Sequence, residues 1–155
     1  MAGETQTFTG VFSTSEVKVE IDKTPNDSTP TWKEIADMET AKISIETNVE
    51  TWYSIKDGGW QNALATAKSF KVALSGKRCI GDDGNDYIAG LALKNGRDLN
   101  TNIKFTFPDG ATFEGGIVCA VTDFNSDGAT NVGPLVADCT GRGKPTYTPA
   151  TSSGG

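Results

Sequence analysis

Lys42-Ile43-Ser44-Ile45-Glu46-Thr47-Asn48-Val49-Glu50-Thr51-Trp52-Tyr53-Ser54-Ile55-Lys56-Asp57-Gly58-Gly59-Trp60 is the stretch that decides the fold class. Ile43, Ile45, Thr47, Val49 and Thr51 alternate with Lys42, Ser44, Glu46, Asn48 and Glu50. A period of two puts alternate side chains on opposite faces of a strand. One face of this long strand is therefore polar and acidic, carrying Glu46 and Glu50. Trp52, Tyr53 and Ile55 lead it into Lys56-Asp57-Gly58-Gly59-Trp60, an aromatic-flanked loop whose glycines free the backbone.

Reading outward, the same alternation recurs on both sides. Val17, Val19 and Ile21 alternate with Lys18, Glu20 and Asp22. A Pro-, Asn- and Ser-containing loop follows at 24–30, and 32–38 reads as a short strand. Beyond the aromatic loop, Phe70, Val72 and Leu74 alternate up to Ser75-Gly76. The spacing of Ile88, Leu91, Ala92 and Asn95 predicts one helix near 84–95, capped by Asp83 or Asp86 and ended by Gly96. Ile103, Phe105 and Phe107 resume the strands, Pro108-Asp109-Gly110 turns a hairpin, and 111–124 returns with a bulge expected at Gly115-Gly116. A last strand lies near 130–139. The expectation is a mainly β chain, with a flexible arm at 1–15, one domain at 16–142 and a Pro/Thr/Ser/Gly-rich flexible tail at 143–155.

Composition excludes several function classes. The chain has 155 residues, 20 acidic and 14 basic, for a net charge of -6. It has no basic run of the kind that grips phosphates, so a DNA-binding regulator is not expected. It has no histidine, which removes Ser-His-Asp, Cys-His and His-metal chemistry. No apolar stretch approaches the roughly 20 residues of a membrane span. Polar Met1-Ala2-Gly3-Glu4-Thr5-Gln6 does not read as a signal peptide, so we expect synthesis in a cytoplasm. Cys79, Cys119 and Cys139 are then read as reduced thiols rather than a disulfide framework.

The remaining motifs have plain readings. Asp123, Asn125, Asp127 and Gly128 open like an EF-hand loop, but the twelfth position is Pro134 where a bidentate Glu is needed. Gly81-Asp82-Asp83-Gly84-Asn85-Asp86 matches one calcium-binding toxin repeat, and such repeats bind between stacked copies. Both read as turns. Glu46 with Glu50, or Asp82 with Asp83, lacks a cleft for glycosidase chemistry. No catalytic, cofactor or metal residue is expected. Phe8 and Phe12 in the arm, with Trp52, Tyr53 and Trp60 around the loop, are the candidate self-assembly residues, because exposed aromatics anchor interfaces.

The segments Trp32-Lys33-Glu34-Ile35, Ile43-Ser44-Ile45-Glu46-Thr47, Glu50-Thr51-Trp52 and Gly59-Trp60 occur in an order that resembles the major tail tube protein of long-tailed bacteriophages. Gly81-Asp82, Ala89-Gly90-Leu91-Ala92, Phe113-Glu114-Gly115 and Gly141-Arg142-Gly143-Lys144-Pro145 continue it. The resemblance spans roughly residues 30–145. It implies a β-sandwich or flattened barrel with one flanking helix and an extended N-terminal arm. It also implies a structural virion protein, assembled in the host cytoplasm, whose copies form stacked hexameric rings around a DNA conduit. Glu46 and Glu50 would face that lumen. Implied partners are further copies of the chain, tape measure protein, tail tip and terminator proteins, and double-stranded DNA passing without specific binding. Tubes of contractile tails and secretion systems share this architecture. A secreted carbohydrate-binding β-sandwich is the competing class.

Overall fold

The computed structural model describes residues 8–150. The alternating runs become antiparallel strands: β1 (Lys18–Asp22), β2 (Trp32–Glu34), β3 (Met38–Tyr53), β4 (Gln61–Lys77), β5 (Asn100–Thr106), β6 (Thr112–Phe124), β7 (Pro134–Gly141) and β8 (Thr146–Thr148). They form one sheet in the order β2-β1-β5-β6-β7-β4-β3, with β8 paired to β6. Ile21 of β1, Phe105 of β5 and Leu74 of β4 belong to one core cluster, so the sheet curls until its two halves face each other. It is the flattened-barrel form of the expected architecture with an open seam: β2 and β3 are the two edges and do not pair.

Core formation follows the alternation. β5 runs intermediate and buried in turn, with Ile103 and Phe105 inward. Two buried polar side chains fasten the connections. Asp22 accepts from the Thr24 and Thr31 amides at 2.9 and 3.0 Å, closing the loop between β1 and β2. Asn85 donates to the carbonyls of Ala36 and Lys77 and accepts from the Cys79 amide, tying the chain after β4 to the end of β2.

Several boundaries differ from the sequence expectations. The helix, α1, is only Asp83–Gly90 and its cap is Asp82, which accepts from the Asn85 amide. Beyond it, Leu91, Ala92 and Lys94 donate three residues back instead of four, so the helix unwinds before Gly96. The segment 32–38 is broken by Asp37, whose φ of 59° turns the chain into β3. Gly115 and Gly116 lie in regular register with Ile103 and Asn102, and the irregularity of β6 falls between Val121 and Asp123. Gly115 is required for space instead: a Cβ there would approach the Phe70 ring to 2.9 Å.

The arm and tail are partly structured. Phe12 packs on Phe107, which in turn contacts Tyr147 of β8. A 3₁₀ turn at Thr14–Glu16 is closed by a reciprocal Ser13–Glu16 cap. Thus Thr146–Thr148, expected to be flexible tail, add to the sheet beside Thr112–Glu114. Residues 1–7 of the expected arm and 151–155 of the tail lie outside the described residues.

Candidate functional site

β3 and β4 are the longest strands, and their distal halves leave the body. β4 pairs with β7 only over Lys71–Lys77, whereas it pairs with β3 along its whole length to Gln61. At Phe70 the sheet forks. A Cβ on Gly141 would collide with the Phe70 ring and carbonyl, so glycine lets β7 end against β4. The chain then turns at Gly143, φ 84°, and continues as β8 along the same edge of β6 that β7 occupies, opposite β5.

Above the fork, every residue of Ile45–Tyr53 is exposed, and of Gln61–Ser69 only Asn62 is half-buried. At about 3.3 Å per residue this ribbon extends roughly 30 Å. Its β4 edge has no strand beyond Phe70, and its β3 edge has none at all among the described residues. A two-stranded hairpin with no packed face is marginal in water. It nevertheless displays Ile45, Val49, Trp52, Tyr53, Ile55, Trp60 and Leu64 to solvent.

The tip is built by its glycines. Gly58 and Gly59 take φ of 66° and 83°, and their amides donate to the Ile55 and Ser54 carbonyls. This presents Trp60 at 80% exposure and Ile55 at 99%. Asn62 donates to Asp57 at 2.7 Å, bracing the turn.

The expected assembly residues fall in two places. Trp52, Tyr53 and Trp60 cluster toward the hairpin tip, with Trp52 and Tyr53 on opposite faces by alternation. Phe8 and Phe12 meet edge-on at 6.1 Å, both partly exposed, on the body beside the β5–β6 turn. Trp32 is not part of either group; it is half-buried under the Lys104 ammonium, 4.9 Å from its ring.

Glu46 and Glu50 share one hairpin face, but that face is not purely acidic. Lys71 lies 3.9 Å from Glu46, and both are solvent-exposed, so the pair contributes little. From residue 41 to 71 the ribbon carries Lys42, Lys56, Lys68 and Lys71 against Glu46, Glu50 and Asp57. Four positive and three negative charges leave it at +1, while the chain as a whole is -6.

Sequence reading missed the apolar hairpin residues Ile45, Val49 and Leu64, whose signal was alternation without a core to receive it. It also missed the opposite end of the sheet. There Ile80, Phe124 and Val132 are exposed around the β6–β7 turn, which Arg78 fastens by donating its guanidinium to Asn125 and its backbone amide to the Gly133 carbonyl.

Two turns flagged for calcium have internal partners. Asp86 accepts from Arg78 at 2.8 Å and from the Gly81 amide, which hold its carboxyl below the usual carboxylate range. Asp127 accepts from the Gly128 amide. Among the described residues no acidic or cysteine side chains gather as a metal site would require.

No curated protein matches the chain. Two solved structures share its fold. One is a chain from the tail of an empty gene transfer agent particle refined with C6 symmetry: TM-score 0.72, 13% identity, covering 90% of this chain and 100% of that one. The other is from the virion of a native gene transfer agent particle, with TM-score 0.70, 13% identity and the same coverage. A sheet that forks into a ribbon without a packed face is a subunit shape made for neighbours, and a family model of phage tail tube proteins matches residues 11–132: the chain belongs to the phage tail tube protein family.

Proposed function

We propose that the protein polymerises into the tube of a phage tail, six copies to a ring, with rings stacked into a conduit for DNA. The observation that carries this is the ribbon of β3 and β4, exposed on both faces and with unpaired edges beyond Phe70. Open strand edges template pairing with another chain. A heterologous contact repeated around an axis closes a ring, and end-to-end contact extends it. The sixfold symmetry of the gene transfer agent tail supports a six-membered ring.

Within this reading the hairpins of adjacent copies pair edge to edge and form a β-lined lumen. Trp52, Tyr53 and Trp60 anchor neighbouring copies, and Phe8 and Phe12 extend the arm toward them. The tip exposes Ile55 and Trp60, while the opposite end of the sheet exposes Phe124 and Val132. Apolar complementarity between these ends favours head-to-tail stacking. Glu46 and Glu50 face the lumen among lysines, giving a wall of mixed charge that offers DNA no continuous basic track. The role is structural, without catalysis. Tape measure, tip and terminator proteins are the further partners, and assembly takes place in the host cytoplasm.

Electron microscopy of the purified full chain over a concentration series tests the reading. Sixfold rings or tubes are expected. Monodisperse monomers at every concentration and salt, with binding to glycans instead, would defeat it.

A further inference from the structure

Cys119 of β6 and Cys139 of β7 stand directly opposite one another in the antiparallel register. Their exposures are 0% and 1%. Opposed residues on such strands share a face, with Cα atoms about 4.5 or about 5.5 Å apart according to their place in the ladder. Both spacings lie inside the range of roughly 4.4–6.8 Å that a disulfide spans without backbone movement. The thiols are free, and the neighbouring Cys119 thiol together with burial holds Cys139 above the usual thiol range. Cys79 lies apart, after the end of β4, half-buried beside Asp37.

We propose that Cys119 and Cys139 are an oxidation site whose product is a cross-strand disulfide stapling β6 to β7. The bridge would close a loop containing the whole β6–β7 turn. A low-molecular-weight disulfide such as oxidised glutathione is a sufficient oxidant. One cysteine thiolate attacks it, forming a mixed disulfide and releasing one glutathione thiolate. The second cysteine thiolate attacks the protein-side sulfur and releases the other. Two protein thiols lose two protons and two electrons, and one glutathione disulfide becomes two thiols. Burial and scarce thiolate slow this in the folded subunit, so the pair closes most readily as the chain folds.

The test is oxidative refolding of the full chain. Denatured, reduced protein is refolded in a glutathione redox couple, alkylated and examined by intact mass and peptide mapping. The expected product has lost about 2 Da, in the two-proton stoichiometry of disulfide formation. It joins the Cys119 and Cys139 peptides and leaves Cys79 alkylated. Its melting temperature should exceed that of the reduced protein by several degrees. The Cys79→Ser variant keeps the pair intact and should give the same bridge, which shows that Cys79 takes no part in it. Native refolded protein with all cysteines alkylated under excess oxidised glutathione would overturn the proposal. Glutathione adducts that fail to close, or bridges made preferentially to Cys79, would overturn it equally.

Discussion

Trp60 owes its position to the two residues before it. Gly58 and Gly59 occupy left-handed conformations that a side chain would strain, and the indole is left 80% exposed. Trp60→Ala should therefore change the monomer's unfolding free energy, measured by urea titration, by less than about 0.5 kcal/mol, as exposed substitutions do. The same change should weaken each assembly contact by about 2 kcal/mol, seen as a raised critical concentration. A collapsed midpoint with an unchanged critical concentration would make it a folding residue. Gly141 is the opposite case, required for space and not for conformation. Gly141→Ala drives a methyl into Phe70 and should cost about 1–3 kcal/mol by denaturant titration. Asp86 provides a pH signature. Its carboxyl is held low by Arg78 and the Gly81 amide, so its folded-state value lies below the unfolded one. Such a group stabilises the fold above the unfolded value of about 3.9, and the contribution is lost as pH falls through the folded value. Asp86→Asn should lower the melting temperature near neutrality, and the difference should fade in stronger acid. A difference that persists undiminished there would point to geometry and not charge.

Among the elements, strands with a core to fill were legible, and of the two exposed hairpin strands only β3 was, through its own alternation. Ile103, Phe105, Phe70, Val72 and Leu74 announce their strands because burial forces alternation. Asn62-Ala63-Leu64-Ala65-Thr66-Ala67, the distal half of β4, gives no such signal because neither of its faces is buried. Its strand character comes from pairing with β3, which a single segment cannot reveal. The helix length was misread for a related reason. Leu91 is buried in the core, so apolar spacing continued past Gly90, although the backbone had already passed into three-residue turns. The arm is more attached than its isolated apolar residues suggested, since Phe12 reaches Phe107. Removing residues 1–12 deletes that ring contact, and a monomer weakened by only about 1 kcal/mol is expected. Tube formation should suffer much more. Normal tubes from the truncated chain would show that the arm does not take part in assembly.

For the whole molecule, the lack of histidine and of a basic run was the clearest message of the sequence, and the exposed apolar surface was only half visible. Trp52, Tyr53 and Trp60 could be singled out because aromatic residues beside Gly58-Gly59 are hard to bury in a small domain. Ile80, Phe124 and Val132 could not, because only the fold brings the chain after β4 to the β6–β7 turn. The acidic turns carry their own partners, Arg78 for Asp86 and a backbone amide for Asp127. Chelator should accordingly leave the melting temperature unchanged, and a rise of several degrees on adding calcium would contradict this account of both loops.

The fork at Phe70 also sets a pattern in time. In an edge strand alternate amides point across the hairpin and the others point outward, so β3 and the distal part of β4 each have one protected and one open set. In free subunits the outward amides should exchange with deuterium at nearly the rate of an unstructured chain. Once another copy covers the edge, the same amides should fall silent while those of the core strands are unaltered. Pulse labelling at successive times would then read the closing of each edge as its own step, and the order in which the two edges become protected would give the sequence by which a ring is made.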